Sequence, residues 1–363
     1  MVRIAHLSSV HPRYDTRIFH KMCKSLAQLY DVSLIVADGK GDETIDNVKF
    51  IDVGKPINRR DRILNTTKKV LQKALEINAK VYHLHDPELI PIGIKLKKMG
   101  HKIIFDSHED IPKQILAKHY INNLSKKLAS FIYSKYEIYS LKKFNFVIAA
   151  TPIIKEKFLK HNINCEDINN FPIVDEFLKL NPKFESNTFC YIGTLYKTRG
   201  IEEIVKAIEN VDAKLIIAGK FYDQSFEEYI KSLKGWEKVD FRGFVGKNEI
   251  LNILISSLAG IVTLHPTPSY IEAYPVKMFE YMASGIGIIA SNFSLYKKLL
   301  ENDGIFVNPL NTNEIANAMQ YCIENKEKIK KMGEKSRELI KEKYNWKREE
   351  EKLFKIYEKV LSE

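Results

Sequence analysis

The sequence predicts an α/β protein made of two domains, each a parallel sheet covered by helices on both faces. Three observations carry this. The chain has 363 residues, more than one hydrophobic core usually serves. Short β-branched segments alternate with amphipathic helical ones, the pattern of parallel strands joined by crossover helices. The alternation breaks once, at Asn169-Asn170-Phe171-Pro172, and then starts again.

Taken in order, the first series gives strands at Arg3–Leu7, Val32–Ala37, Val81–Leu84, Lys102–Phe105 and Phe146–Ala149. Helical stretches lie between them, among them Asp15–Leu29 and Asn123–Phe144. The opening apolar run is too short for a secretion signal and reads as the first strand. Periodicity is lost from 166 to 186, where Asn and Pro punctuate the chain. A first domain of residues 1–170, a linker over 171–186 and a second domain of 187–345 are therefore expected. The second series gives strands at Thr188–Ile192, Lys214–Ala218, Val239–Phe241, Gly260–Leu264, Gly287–Ala290 and Gly304–Val307, and the chain closes in helical sequence at Lys326–Lys343 and Trp346–Leu361.

Composition narrows the class. Hydrophobic residues make up 45% and charged residues 28%, as in a soluble globular protein. No apolar run approaches the roughly 18 residues of a membrane span. The cysteines (Cys23, Cys165, Cys190, Cys322) are scattered, so reduced thiols in a cytoplasmic protein are expected. Net charge is +11, and the first 182 residues carry most of it, with 30 Lys and Arg against 20 Asp and Glu. That half attracts anions, and ordinary solvated surface, an anionic membrane surface and a phosphate-bearing substrate are the readings of it. No nucleic-acid motif is present, so no nucleic-acid partner is expected.

Ligands of open parallel sheets bind beyond the carboxyl ends of the strands. The unusual polar residues fall there: Ser8 to Arg17 after the first strand, His85-Asp86-Pro87-Glu88, and Asp106-Ser107-His108-Glu109-Asp110. In the second half the corresponding loops are Gly193-Thr194-Leu195-Tyr196-Lys197-Thr198-Arg199-Gly200, Gly219-Lys220, Arg242-Gly243-Phe244 and His265 to Glu272. Seven such loops from two sheets predict two faces meeting over one cleft. The richest segment runs from Ser269 to Gly285. Pro275 suits the first turn of a helix, whose free N–H groups and dipole favour an anion. Lys277 adds full charge, and Glu272 and Glu280 flank that start. Helix capping with a surface glutamate is the plain alternative on spacing alone. His6, His20, His101, His119 and His161 read as surface or packing residues.

Glu272 and Glu280, separated by seven residues and followed by Tyr-Met-Ala-Ser-Gly, resemble the Glu–seven–Glu motif of the family 4 retaining glycosyltransferases. Val10 to Phe19, His85-Asp86-Pro87-Glu88-Leu89 and Asp106-Ser107-His108-Glu109 resemble other segments of bacterial members, in the same order along nearly the whole chain. The resemblance implies two Rossmann-like domains of the GT-B type, with the last helix (346–363) crossing back to the first. It implies a donor nucleotide sugar on the C-terminal domain and an acceptor on the N-terminal one. Arg199 takes the place of a Lys that contacts the donor diphosphate. Thr194 stands where the family has an Arg, so Lys277 or Lys220 is expected to compensate. Gly193, Tyr274, Pro275 and Val276 complete that site, Gly243 and Phe244 match the turn that holds the base, and Glu280 would hold ribose. Glu272 and His108 would orient the sugar. Asp15, Arg17, His85 and Asp86 fall on the acceptor side.

No Asp-x-Asp pair and no His/Cys/Asp set at metal-ligand sequence spacing occurs. No metal and no cofactor are therefore expected. Gly-x-Gly-x-x-Gly and the phosphate-loop signature are absent as well, against a dehydrogenase or an NTPase. The expected function is transfer of a sugar to a hydroxyl acceptor, a lipid-linked glycan or surface-polysaccharide precursor. A nucleotide-sugar epimerase of the same fold and a non-catalytic subunit are the alternatives. Residues 113–143 hold Lys113, Lys118, Lys126, Lys127, Lys135, Lys142 and Lys143, one acid, Glu137, and the aromatics Tyr120, Phe131, Tyr133, Tyr136 and Tyr139. This is the pattern of a helix lying on an anionic bilayer, with a core-packed helix and a solvated basic face as the plain alternative; the membrane reading implies peripheral attachment at the inner face of the cell membrane.

Overall fold

The computed structural model describes residues 1–116 and 122–363. Lys118, His119 and Tyr120 lie outside the described residues. The chain divides into two compact units, Met1–Asn170 with Trp346–Glu363, and Phe171–Asn345.

The first unit is an eight-stranded sheet. Its strands are β1 (Arg3–Leu7), β2 (Asp31–Val36), β3 (Glu43–Ile45), β4 (Val48–Asp52), β5 (Val81–Leu84), β6 (Lys102–Ser107), β7 (Phe146–Ala149) and β8 (Cys165–Asp167). They lie in the order β3-β4-β2-β1-β5-β6-β7-β8, and only the β3–β4 pair is antiparallel. Strands β3, β4 and β8 are additions to the sequence expectation. Asp46 and Asn47 both adopt positive φ, 50° and 62°, as a two-residue hairpin turn between β3 and β4 requires. Every residue of β5 and β7 is buried, the two-sided burial that produces continuous apolar runs. The helical stretch expected from Asp15 begins at Ile18. Asp15 Oδ1 accepts the N–H groups of Arg17 and Ile18 at 2.8 and 2.9 Å and starts it.

The helix Trp346–Ser362 belongs to this unit. Trp346 Nε1 donates to Ser25 Oγ at 3.0 Å, and Leu353, Ile356, Tyr357 and Val360 form its buried stripe at helical spacing.

The second unit is a six-stranded, all-parallel sheet: β9 (Thr188–Ile192), β10 (Lys214–Ala218), β11 (Val239–Gly243), β12 (Ala259–Val262), β13 (Gly287–Ser291) and β14 (Ile305–Val307), ordered β11-β10-β9-β12-β13-β14. The stretch expected as a linker, 171–186, is part of this unit. Phe171, Phe177 and Leu180 are buried in the core with Phe279 and Leu339, because three large apolar side chains so close together in sequence gain too much by burial to stay in water.

Both sheets turn back on themselves. The chain winds outward from β1 through β2 and β4 and resumes at β5 on the other side. It winds from β9 through β10 and β11 and resumes at β12. The carboxyl ends of β1 and β5, and of β9 and β12, are therefore the two points where a crevice opens.

Candidate active site

In the second unit three loops are joined by backbone bonds. Gly193 N donates to Ala218 O at 2.8 Å, Leu195 N to Lys220 O at 3.0 Å and Gly219 N to Gly243 O at 2.7 Å. Gly219 has φ 154°, and a Cβ there would lie 1.8 Å from Gly193 O, so only glycine permits this approach. Gly193 in turn faces the Lys277 ammonium, which a Cβ would meet at 3.2 Å.

The helix Val276–Ser284 starts behind these loops, with Pro275 as its N-cap rather than in its first turn, and no side chain caps it. Lys277 is buried, and its Nζ lies 3.5 Å from the centre of the Tyr191 ring with no hydrogen-bond partner. Burial, and then the neighbouring Arg199 charge, hold its pKa well below the usual lysine value, although Glu280 works the other way. Arg199 ends the short turn Lys197–Arg199. Its guanidinium lies 5.9 Å from the Tyr270 ring centre, and Nε is buried without a hydrogen bond. Burial opposes its charge, but the Tyr191 and Tyr270 hydroxyls raise its pKa. Two cations thus sit together, with unmet donors, at a helix N-terminus. Such a place is costly until an anion enters it.

The other expected donor-side residues lie on the loops and helix of the same unit. Tyr191 OH donates to Thr194 O at 2.8 Å. Lys220 is exposed and lies 5.5 Å from the Tyr222 ring centre. Gly243 has φ 62°, and Phe244 is 88% exposed. Tyr274 packs half-buried on Phe171 and Phe279. Val276, Glu272 and Glu280 are half-buried. Sequence reasoning passed over Tyr191 and Tyr270, the two rings that seat the cations.

In the first unit the four residues expected on the acceptor side form a supporting network. Arg17 holds Asp106 through both carboxylate oxygens, at 2.9 and 2.7 Å, and donates to Ile168 O at 2.6 Å. His85 and Asp86 are buried. Asp15 caps the 18–26 helical stretch. The partly exposed rings are His108, which bonds Asp106 Oδ2 at 3.0 Å, and His11, which bonds Asp86 Oδ1 at 2.9 Å. Burial opposes the Asp86 charge, but His11 and the Ser9 N–H lower its pKa to about 2. Sequence reasoning missed His11, because its carboxylate arrives from a strand end far along the chain.

A buried chain of bonds runs inward from Asp106. His85 Nδ1 lies 3.3 Å from Asp106, His85 Nε2 lies 2.9 Å from His6 Nδ1, and His6 Nε2 lies 3.1 Å from Tyr357 OH, which lies 2.8 Å from His83 Nδ1. An ionised Asp106 only accepts, so every later tautomer is fixed: His85, His6 and His83 each carry the proton on Nδ1. Burial lowers the pKa of all three, that of His85 to about 4. The trios His6–His83–His85 and His85–Asp106–His108 also bring their ligand atoms within 4.8 Å of one another, although sequence spacing showed no such set. Hydrogen bonding accounts for every one of those atoms except His83 Nε2, which is buried without a partner.

Comparison with known proteins bears on this geometry. Residues 175–339 match the family described as glycosyl transferases group 1. An uncharacterised glycosyltransferase of Methanocaldococcus jannaschii is 25% identical over 61% of this chain, and the match spans 60% of that relative's length. The O-antigen chain mannosyltransferase RfbU of Salmonella typhimurium is 24% identical over 80% of this chain and 81% of its own. Among solved structures, sucrose-phosphate synthase of Thermosynechococcus elongatus superposes with a TM-score of 0.82 at 17% identity, covering 100% of both chains. Anabaena HepE in complex with UDP and glucose superposes with a TM-score of 0.76 at 14% identity, over 99% of this chain and 100% of that one. The fold is that of these solved structures, Rossmann-like units of the GT-B type, and residues 175–339 are similar to the glycosyl transferases group 1. The matched residues include Arg199, Lys277, Glu272 and Glu280, whereas the histidine–carboxylate network of the first unit lies outside that match. Among the described residues no helix is long and apolar enough to cross a membrane.

Proposed function

We propose that the protein is a retaining, metal-independent glycosyltransferase that moves a sugar from a nucleoside-diphosphate donor to a hydroxyl acceptor. The observation that carries this is the pair Arg199 and Lys277, two adjacent cations with buried, unpartnered donors at the start of an uncapped helix. Their chemistry fits a diphosphate. In the transfer, the bond from the sugar anomeric carbon to the diphosphate breaks, and negative charge grows on the leaving oxygens. Preorganised cations and N–H groups stabilise that charge without a metal. Glu280 would hold ribose hydroxyls, and Gly243 and Phe244 the base. Glu272 and His108 would orient the sugar, with the acceptor on the first unit.

Our reading of the acceptor is a lipid-linked glycan or surface-polysaccharide precursor, with the protein held peripherally on the inner face of the cell membrane. The helix Asn123–Leu141 supports it. Its buried residues are Ser130, Glu137, Ser140 and Leu141, while Leu124, Leu128, Phe131, Ile132 and Tyr139 are exposed. The segment's single acid is turned inward, where Lys157 bonds Glu137 at 2.7 Å. The open face therefore combines apolar groups with Lys127, Lys135, Lys142 and Lys143, as membrane-surface helices do.

The test is nucleotide release from a panel of nucleotide sugars, followed by mass spectrometry with and without glycan acceptors, in the presence of EDTA. Acceptor-dependent release that survives the chelator is expected. Activity lost in EDTA and restored by Mn²⁺ rejects the metal-free scheme, and release of no nucleotide from any donor rejects the transferase reading.

A further inference from the structure

Among the described residues of the second unit, the buried side-chain nitrogens and oxygens without a hydrogen-bond partner belong to five residues: Arg199, Glu203, Thr263, His265 and Lys277. All five gather around the carboxyl ends of β9 and β12. Buried polar atoms left unpaired cost stability, so their concentration in one place marks groups arranged for a task other than holding the fold. Arg199 and Lys277 already belong to the anion site. Glu203, Thr263 and His265 stand beside the turn that bears Arg199.

The turn Lys197–Arg199 is followed by Gly200 and by the helix Ile201–Ile208. Three contacts seat this corner on the end of β12. Gly200 has φ 76° and lies so close to Thr263 that a Cβ would come 2.2 Å from Thr263 O. His265 N donates to Thr198 O at 3.0 Å. The His265 ring reaches the first turn of the helix, where Nε2 lies 3.1 Å from Glu203 Oε1 in a bent contact. A carboxylate only accepts, so the hydrogen of this contact is on His265 Nε2. His265 therefore grips the chain on both sides of Arg199, at Thr198 and at Glu203.

His265 also starts the loop that carries Tyr270. Thr267 N donates to His265 O at 2.7 Å, and Tyr270 N donates to Thr267 O at 3.0 Å. The Tyr270 ring is the one beside the Arg199 guanidinium, 5.9 Å away. Both the corner that bears Arg199 and the ring beside it are thus tied to one residue. Any residue at 265 could make the backbone contacts, whereas the contact with Glu203 needs the ring. We propose that His265 is a positioning residue which, with Glu203, fixes the Arg199 guanidinium in the place where the donor diphosphate is met. This rests on the reading of Arg199 as a diphosphate contact. Neither His265 nor Glu203 touches the phosphates in this scheme, and both act through Arg199.

The experiment is calorimetric titration of inorganic pyrophosphate into the full chain, with thermal melts to establish folding. His265→Ala and Glu203→Ala should each weaken pyrophosphate about tenfold, the low end for a hydrogen bond to a charged group. The double variant should lose no more than either single one, because the two residues share one contact. His265→Gln, whose amide N–H can reach Glu203, should regain most of the affinity. Position is read directly from the ¹H–¹⁵N resonance of Arg199 Nε, assigned by its loss in Arg199→Lys. His265→Ala should move or broaden that resonance before pyrophosphate is added, and His265→Gln should return it. Unchanged affinity in folded alanine variants overturns the proposal. So does a tenfold loss with the Arg199 resonance unmoved, which would place the action of His265 elsewhere. If His265→Ala does not fold, Glu203→Ala carries the same test at a helix position that suits alanine. A wild type that binds no pyrophosphate rejects the diphosphate reading of Arg199 and the positioning role with it. Binding that depends on Arg199 but ignores His265 and Glu203 rejects the positioning role alone.

Discussion

Replacing Lys277 by methionine sets stability against binding in one side chain. The ammonium is buried, bonded to nothing and next to Arg199. Its contact with the Tyr191 ring, 3.5 Å from the centroid, returns up to about 2 kcal/mol. Desolvation of an unpaired charge costs more than that, so removing the charge while keeping the volume should stabilise the free protein by on the order of 1–3 kcal/mol. The midpoint of thermal unfolding should then rise, by about 2–4 °C per kcal/mol for a domain of this size. The pH dependence has a definite sign. The folded-state pKa lies below the unfolded value of about 10.4, so the unfolded chain binds the extra proton between the two. Wild-type stability therefore increases as pH rises through that window. The advantage of Lys277→Met is largest near neutral pH and fades towards pH about 10. The same change should weaken a nucleoside diphosphate by about 1.5–3 kcal/mol, roughly 10- to 150-fold. Urea or thermal melts of both proteins, with UDP and GDP titrated by calorimetry, measure both arms. A Lys277→Met protein that is no more stable than wild type, and binds every diphosphate equally well, refutes the assignment of this cation to an anion site.

Three further outcomes are expected. Glu280→Ala should lose about 1.5–3 kcal/mol of nucleotide affinity, and unchanged affinity by calorimetry in a folded variant removes Glu280 from the ribose role. His6, His83 and His85 are buried neutral, so below pH about 6.5 the unfolded chain takes up protons that the folded chain refuses. Stability should fall from there towards pH about 4, His85 alone accounting for about 3 kcal/mol from its pKa of about 4, and urea midpoints that stay flat over this range contradict the buried network. Changing Lys127, Lys135 and Lys142 together to Glu should release the protein from anionic vesicles, at about 1 kcal/mol per lysine. Equal, negligible sedimentation of the wild type with anionic and neutral vesicles at low salt ends the membrane reading.

Most strands legible in the sequence are buried on both faces, although Val239–Phe241 and Gly304–Val307 were legible while only partly buried. Thr188–Ile192 and Lys214–Ala218 are β-branched or apolar nearly throughout, and their limits agree with the structure. The β3–β4 hairpin was not legible, because Glu43–Ile45 is short, polar and half-exposed. Its signal was Asp46-Asn47, a turn pair that tolerates positive φ. The buried histidines left a fainter trace. His83 and His85 are two apart along the chain and so share a face, and His6 pairs with His83 in the neighbouring strand. Read singly, His6 looked like an isolated residue. Read across the sheet, it joins His85 to Tyr357 of the last helix, a partner that no local spacing reveals.

The anion site was legible as a set of residue types but not as an energetic fact. Lys277 in a sequence counts as a surface charge, since lysine is almost never fully buried without a partner. Only the fold shows that Lys277 is buried together with Met278, Phe279, Tyr281 and Met282 of the same helix. The helix 123–141 shows the same limit from the other direction. Periodicity finds a stripe of apolar residues, and a stripe is normally taken to face the core. Here Ser130, Glu137 and Ser140 face inward and Leu128 and Phe131 face out. On the inward face Glu137 pairs with Lys157 and Ser130 Oγ donates to Pro112 O, contacts with other elements of the chain. Amphipathicity specifies that two faces differ, whereas tertiary partners that periodicity does not reveal show which of them meets the core. The apolar side is left exposed.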